Sequence, residues 1–127
     1  MKDVKNRGKA RLRRKEEVND GVEIVYDGDT FHIKVNSWDG VYHDETVRLY
    51  GVDTAELYGA NHETAVRHRD FTVEWLEDSH DSIKDFPLDV YSYGRGSFGR
   101  VLLEVFDENG ECLNKRLLEE FDVEYEE

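Results

Sequence analysis

A chain of 127 residues, 38% hydrophobic and 12% aromatic, is long enough for one domain with a modest core. It has no apolar run of membrane-spanning length and no apolar h-region behind its basic N-terminus. A soluble protein of the cytoplasm is therefore expected, or a secreted one if an export segment has been removed. The single cysteine, Cys112, excludes an intramolecular disulfide and makes a poor zinc site.

The 30 acidic and 17 basic residues give a net charge of −13, but unevenly. Residues 1–15 carry eight cations (Lys2, Lys5, Arg7, Lys9, Arg11, Arg13, Arg14, Lys15) against Asp3, a local charge of +7. The remaining 112 residues carry nine cations and 29 anions, or −20. With only Val4, Ala10 and Leu12 to pack, residues 1–19 read as a basic, disordered arm ahead of a folded domain over 20–127. The arm suits a polyanion; a solvated tail is the alternative.

In chain order, Val22, Ile24 and Tyr26 alternate with Glu23 and Val25, a strand pattern. Asp27-Gly28 is a hairpin-turn dipeptide. Phe31, Ile33 and Val35 alternate with Thr30, His32 and Lys34 as a second strand, and Ser37 to Asp44 reads as a turn. Val47 and Leu49 alternate with Arg48 and Tyr50 as a third strand, which Gly51 ends or bends. Asp53 to Tyr58 forms a loop. A helix is expected from about His62 to Asp78, capped by Asn61, with Ala65, Val66, Phe71, Val73, Trp75 and Leu76 as its apolar residues. Pro87 opens a fourth strand through Leu88 and Val90, and Val101, Leu103 and Val105 make a fifth. Asn109-Gly110 is a further turn, and Leu113, Leu117, Leu118 and Phe121 suit a short final helix. The pattern is α+β, mainly β: a five-stranded OB-type barrel with two or three helices. The five histidines have no metal-site spacing and are expected to face solvent. Trp38, Tyr42, Tyr91, Tyr93 and Tyr125 are candidates for base stacking, with packing at the barrel rim as the alternative.

Three segments carry chemistry: Asp27-Gly28-Asp29-Thr30, Arg48-Leu49-Tyr50-Gly51-Val52-Asp53-Thr54-Ala55-Glu56, and Phe98-Gly99-Arg100-Val101-Leu102. Asp29 and Asp53 are hard oxygen donors without sulfur or imidazole beside them, which favours Ca²⁺, Mg²⁺ or Mn²⁺ over zinc. Glu56, three residues after Asp53, suits a general base for a cation-bound water. Arg48 leaves its strand opposite the core, and arginine forks donate to the oxygens of a phosphoryl transition state. Taken singly, each also reads as an ordinary turn residue, loop acid or exposed strand residue.

In this order, the segments resemble the signature of the thermonuclease (staphylococcal-nuclease-like) family, and Gly110-Glu111-Cys112-Leu113-Asn114 with Leu117-Leu118 resembles its last hairpin and helix. The likeness covers about residues 21–125. It implies a metal-dependent nuclease that cuts DNA or RNA phosphodiesters, prefers single strands and leaves 3′-phosphates. By resemblance the carboxylates of Asp29 and Asp53 and the backbone carbonyl of Thr54 hold the cation, Ca²⁺ first, with Asp27 auxiliary. Glu56 would be the base, Arg48 and Arg100 the phosphate-gripping arginines, and Phe98 and Tyr125 substrate contacts. Ala55 stands where the family often has proline, which is expected to loosen the loop carrying Glu56; Ser97 and Phe98 replace a lysine and a tyrosine. A monomer is expected, with the arm as a nonspecific nucleic-acid contact. Two other readings compete: a catalytically silent nucleic-acid or peptide-binding module on the same barrel, and an acidic cation-binding protein, which leaves Arg48 and Arg100 without a role.

The acidic body, with only Lys34, Lys84 and Lys115 beyond the arm, fits a halophilic source. There a Debye length of about 3 Å at 1 M salt screens self-repulsion. The alternative is a mesophilic protein whose arm recruits substrate.

Overall fold

The computed structural model describes residues 4–37 and 40–126. Lys2, Asp3 and Trp38 of the readings above lie outside them. The strands are β1 (Asn6–Leu12), β2 (Val25–Asp27), β3 (Thr30–Ser37), β4 (Tyr42–Leu49), β5 (Leu88–Arg95) and β6 (Val101–Phe106); the helices are α1 (His62–Ser79) and α2 (Leu113–Glu120). In the sheet order β1-β5-β6-β4-β3-β2, an additional pairing of β1 with β3 closes five strands into a barrel and leaves β2 as an extra strand on β3. β4 and β6 run parallel; the other pairs are antiparallel. The fold is thus an OB-like barrel, mainly β, with two helices. None of the described helices is long and apolar enough to cross a membrane.

From Val4 onward the basic N-terminal segment is not a disordered arm. Asn6–Leu12 is a wall of the barrel, paired with β3 from Gly8↔Ser37 to Leu12↔Ile33 and with β5 from Asn6↔Ser92 to Ala10↔Leu88. The reason is its period of two. Gly8, Ala10 and Leu12 point inward, where a Cβ on Gly8 would already meet Val35 Cγ1 at 3.0 Å, and Ala10 is fully buried. The cations take the outward positions, where Arg7 lies over the Tyr91 ring and Lys9 and Arg11 are matched by acids. Arg11, 8% exposed, grips Glu17 through Nη1 and Nη2 at 2.6 and 2.8 Å, which lowers the Glu17 carboxyl to about 2. Lys9 pairs with Asp89, and Arg13 lies 3.7 Å from Asp44.

This strand displaces the one expected over Val22 to Tyr26. Only Val25–Asp27 pairs with β3, with an irregularity between Val25 and Asp27. The inward residue is Val25, while Val22 and Tyr26 are 42% and 43% exposed. The hairpin turns on Gly28 and Asp29, since Asp27 pairs with Thr30. The turn after β3 is also shorter than expected, because β4 already begins at Tyr42.

The other strands keep their expected faces: Phe31, Ile33, Val47, Leu49, Leu88, Val90, Val101, Leu103 and Val105 are buried in one core with Trp75, Leu76, Leu113 and Leu117. The buried stripe of α1 is Ala65, His68, Thr72, Trp75, Leu76 and Ser79, a regular set of three- and four-residue steps. Val66, Phe71 and Val73 lie beside it, half-buried. Asn61 precedes α1 as expected, but its side chain makes no cap.

The histidines also differ from expectation. His43 and His62 face solvent, but His68 is buried and His32 and His80 are half-buried. His80 Nε2 accepts the Leu12 N–H at 2.9 Å, and its Nδ1 lies 2.7 Å from the Leu76 carbonyl, so the imidazole ties the end of β1 to the end of α1. Burial lowers the pKa of His32, His68 and His80. Their folded pKa values lie below the unfolded one near 6.5. Stability should therefore be full above about pH 6.5 and be lost as pH falls toward the folded values, because the unfolded chain takes up protons first. In His80→Gln the amide oxygen replaces Nε2 without titrating. The thermal stability of this variant should fall less than the parent's on acidification from about pH 7.5 to about 5.5. Parallel profiles would exclude His80 from the effect.

Candidate active site

Asp29, at the turn between β2 and β3, is 5% exposed. Its Oδ1 accepts from the Thr30 hydroxyl at 2.8 Å. Its Oδ2 accepts from the Thr54 N–H at 3.0 Å and from Arg48 Nη1 at 3.0 Å. Arg48 projects from the outer face of β4, yet its side chain is only 12% exposed. It donates to the Leu49 carbonyl at 3.3 Å and to the Val52 carbonyl, while Nη2 stands 3.5 Å from Asp53 Oδ1. Arg48 thus draws a buried and an exposed aspartate together. Gly51, at φ 76°, turns the chain between them.

The loop that carries Glu56 is held at three backbone amides: Thr54 N on Asp29, Ala55 N on His68 Nδ1 at 3.0 Å and Leu57 N on Asp27 Oδ1 at 2.8 Å. The expected loosening at Ala55 is therefore absent. A proline would have no N–H there; Ala55 does, and His68 of α1 accepts it. Gly28 completes the packing, since a Cβ there would meet Thr54 Cγ2 at 2.9 Å and the His68 carbonyl at 3.0 Å. The Thr72 hydroxyl anchors the Gly28 carbonyl at 2.6 Å. The sequence reading missed both His68 and Thr72. Their signal was two polar residues one turn apart within the buried stripe of α1.

Asp27 is 8% exposed, and its carboxyl is shifted upward by burial first, then by repulsion from Asp29 and Glu56. The Leu57 N–H and the charge of Arg100 oppose the shift. Asp27, Asp29, Glu56 and Arg100 accordingly share one electrostatic neighbourhood. Glu56 itself is exposed. Arg100, on the last residue before β6, donates from Nε to the Ser97 carbonyl at 3.1 Å, and its guanidinium lies 5.8 Å from the Phe98 ring. Phe98 is 96% exposed with φ 61°, a left-handed conformation that costs a bulky side chain on the order of 1 kcal/mol. Tyr125 is brought in by its N–H on the Gly51 carbonyl at 2.9 Å, and its ring lies 5.5 Å from the Arg48 guanidinium.

Direct contacts thus join Asp29, Arg48, Asp53, Thr54 and Tyr125, Asp27 holds the loop of Glu56, and Arg100, with Phe98 beside it, is related to them through its charge at Asp27. A hard divalent cation suits this donor set: carboxylates at Asp27, Asp29 and Asp53, and at Thr54 a buried hydroxyl oxygen without a hydrogen-bond partner. A compact cage is not preformed, for among the described residues no three His, Cys, Asp or Glu side chains are grouped to hold an ion. No protein-family model matches the chain, and no curated protein does.

Proposed function

We propose that the chain is a metal-dependent nuclease of thermonuclease type, acting on phosphodiesters of single-stranded DNA or RNA and leaving 3′-phosphate ends. The observation that carries this reading is the junction Asp29–Arg48–Asp53, in which one guanidinium bridges a buried and an exposed carboxylate, with the charges of Arg100 and Glu56 felt at neighbouring Asp27. Asp29, Asp53 and Thr54 would hold the cation, Ca²⁺ in the first place and Mg²⁺ or Mn²⁺ otherwise, with Asp27 auxiliary. When bound, it would offset the repulsion between an anionic ester and an attacking hydroxide and lower the pKa of water.

Each side chain then has a distinct task. Glu56, exposed and not engaged by Arg48, accepts the proton of the attacking water. Arg48 and Arg100 donate paired hydrogen bonds to the non-bridging oxygens as negative charge gathers there. His68, through the Ala55 N–H, fixes the loop on which Glu56 rides. Phe98 and Tyr125 flank the two arginines, where a nucleotide is gripped.

One observation favours a silent binding module instead. Arg48 already donates to Asp29, Leu49 and Val52, so a phosphate has to compete with the protein's own oxygens. Incubation with single-stranded DNA separates the readings. Cleavage should require Ca²⁺ and stop in Asp29→Asn, whose circular dichroism should stay that of the parent. Undiminished cleavage in excess chelator would reject the metal-dependent reading, and no cleavage with any of the three cations would leave the binding module.

A further inference from the structure

Along β1, β5 and β6 the residues that face away from the core form adjoining rows. Lys9 pairs across to Asp89 and on to Phe106, and Arg7 pairs across to Tyr91 and on to Glu104. Buried Ala10, Leu88, Val90, Leu103 and Val105 take the alternate, inward positions. The Arg7 guanidinium lies 5.1 Å from the centroid of the Tyr91 ring, so it is already oriented over an aromatic plane. One step along β5, Tyr93 stacks on Tyr50 with centroids 4.2 Å apart and planes inclined by 14°. Tyr50 follows Arg48 by two residues on the same outer face, with buried Leu49 between them. A continuous path therefore leads from the candidate phosphate site at Arg48, over Tyr50 and Tyr93, to Tyr91, Arg7 and Lys9.

Of the acids on this face, Asp89 is paired with Lys9, and Glu104 accepts the Tyr93 hydroxyl, which orients the carboxylate without cancelling its charge. Arg7 and Lys5, both exposed, then give the path a positive character on a protein whose net charge is −13. Cations spaced along a strand beside aromatic rings bind a polyanion that also offers flat apolar faces. Duplex nucleic acid offers the charge but keeps its bases paired inside.

We infer that a single strand of nucleic acid held at Arg48 continues across the outer face of β6, β5 and β1, with bases stacked on the Tyr50–Tyr93 pair and on the Arg7–Tyr91 layer. Its direction rests on the phosphate site proposed above; its existence does not. This track supplies affinity and a preference for unpaired strands, at residues remote from the reacting bond.

The test is fluorescence anisotropy with a short labelled oligothymidylate in chelator, so that no cleavage intervenes. Tyr91→Leu should weaken binding about fivefold or more, the lower end of stacking on an aromatic, whereas Tyr91→Phe should keep the parent's affinity. Arg7→Gln should weaken binding and reduce the slope of log K against log salt by about 0.7, one phosphate contact on a single strand. Melting temperatures of all three variants should match the parent's. Duplex DNA should bind more weakly than the single strand and be indifferent to Tyr91→Leu. Unchanged affinity in Tyr91→Leu, or equal losses with duplex, would overturn the track. If only Arg7→Gln lost affinity, and heparin binding lost as much, the face would be a plain charged patch. Binding that follows these expectations without cleavage in Ca²⁺ would remove the nuclease reading and keep the track; cleavage with both variants binding as the parent would do the reverse.

Discussion

Arg48→Lys should lose about two to three powers of ten in kcat, the usual effect of removing one well-placed donor to a developing oxyanion. The lysine keeps the charge but cannot span Asp29, Asp53 and a phosphate at once, because one ammonium replaces a rigid fork. The structure adds a second expectation. Asp29 is buried, and Arg48 is its only ion-pair partner among the described residues. Arg48→Ala should therefore destabilise the fold by about 3–5 kcal/mol, the usual cost of leaving a buried charge uncompensated, whereas Arg48→Lys should keep most of that stability. Turnover and chemical denaturation measured on both variants separate the roles. Equal kcat in Arg48→Lys and the parent would end the transition-state assignment, and equal stability in Arg48→Ala would end the structural one.

Removing residues 1–12 should abolish cooperative unfolding, a far larger effect than the loss of a binding arm. The deletion strips β3 and β5 of their shared partner at once, takes Ala10 from the core and leaves Glu17 without Arg11. Two unpaired edges would face each other across an open barrel, a state prone to association. A sigmoidal melt by circular dichroism with the parent's midpoint would show that the segment is a mere appendage after all. Lys5, Arg7 and Lys9 changed together to glutamine should, in contrast, leave the melt cooperative, because these side chains stand outside the packed interior.

These two expectations mark where the sequence was legible. Alternation in β3, β4 and β6 located strands and faces because the apolar side chains themselves carried the period. In β1 the period was equally regular, but it was written in cations: Arg7, Lys9 and Arg11 alternate with Gly8, Ala10 and Leu12. Read as composition, the segment is too polar to pack; read as alternation, it is a strand with small inward residues, whose outward cations find Tyr91, Asp89 and Glu17. The reverse error occurred at Val22 to Tyr26, where apolar residues suggested a long strand but β1 occupies that part of the wall. In the site, spacing within the motifs anticipated the neighbourhood of Asp29, Arg48, Asp53 and Glu56. His68 was signalled only as a polar residue one turn from Thr72 in the buried stripe of α1; that its ring meets Ala55 depends on how α1 packs, which no local pattern encodes.

The barrel's closure also sets an order of events during synthesis. The ion pair between Lys9 and Asp89 spans 80 positions, so β1, made well before β5, waits for it before one of its edges is satisfied. β3 and β4 can form their hairpin much earlier, since their register is local. Pairings this distant close late and slowly. In that interval the cations of β1 hold a naked edge in water and discourage it from recruiting a neighbour, the protection that charged side chains commonly give to exposed strands.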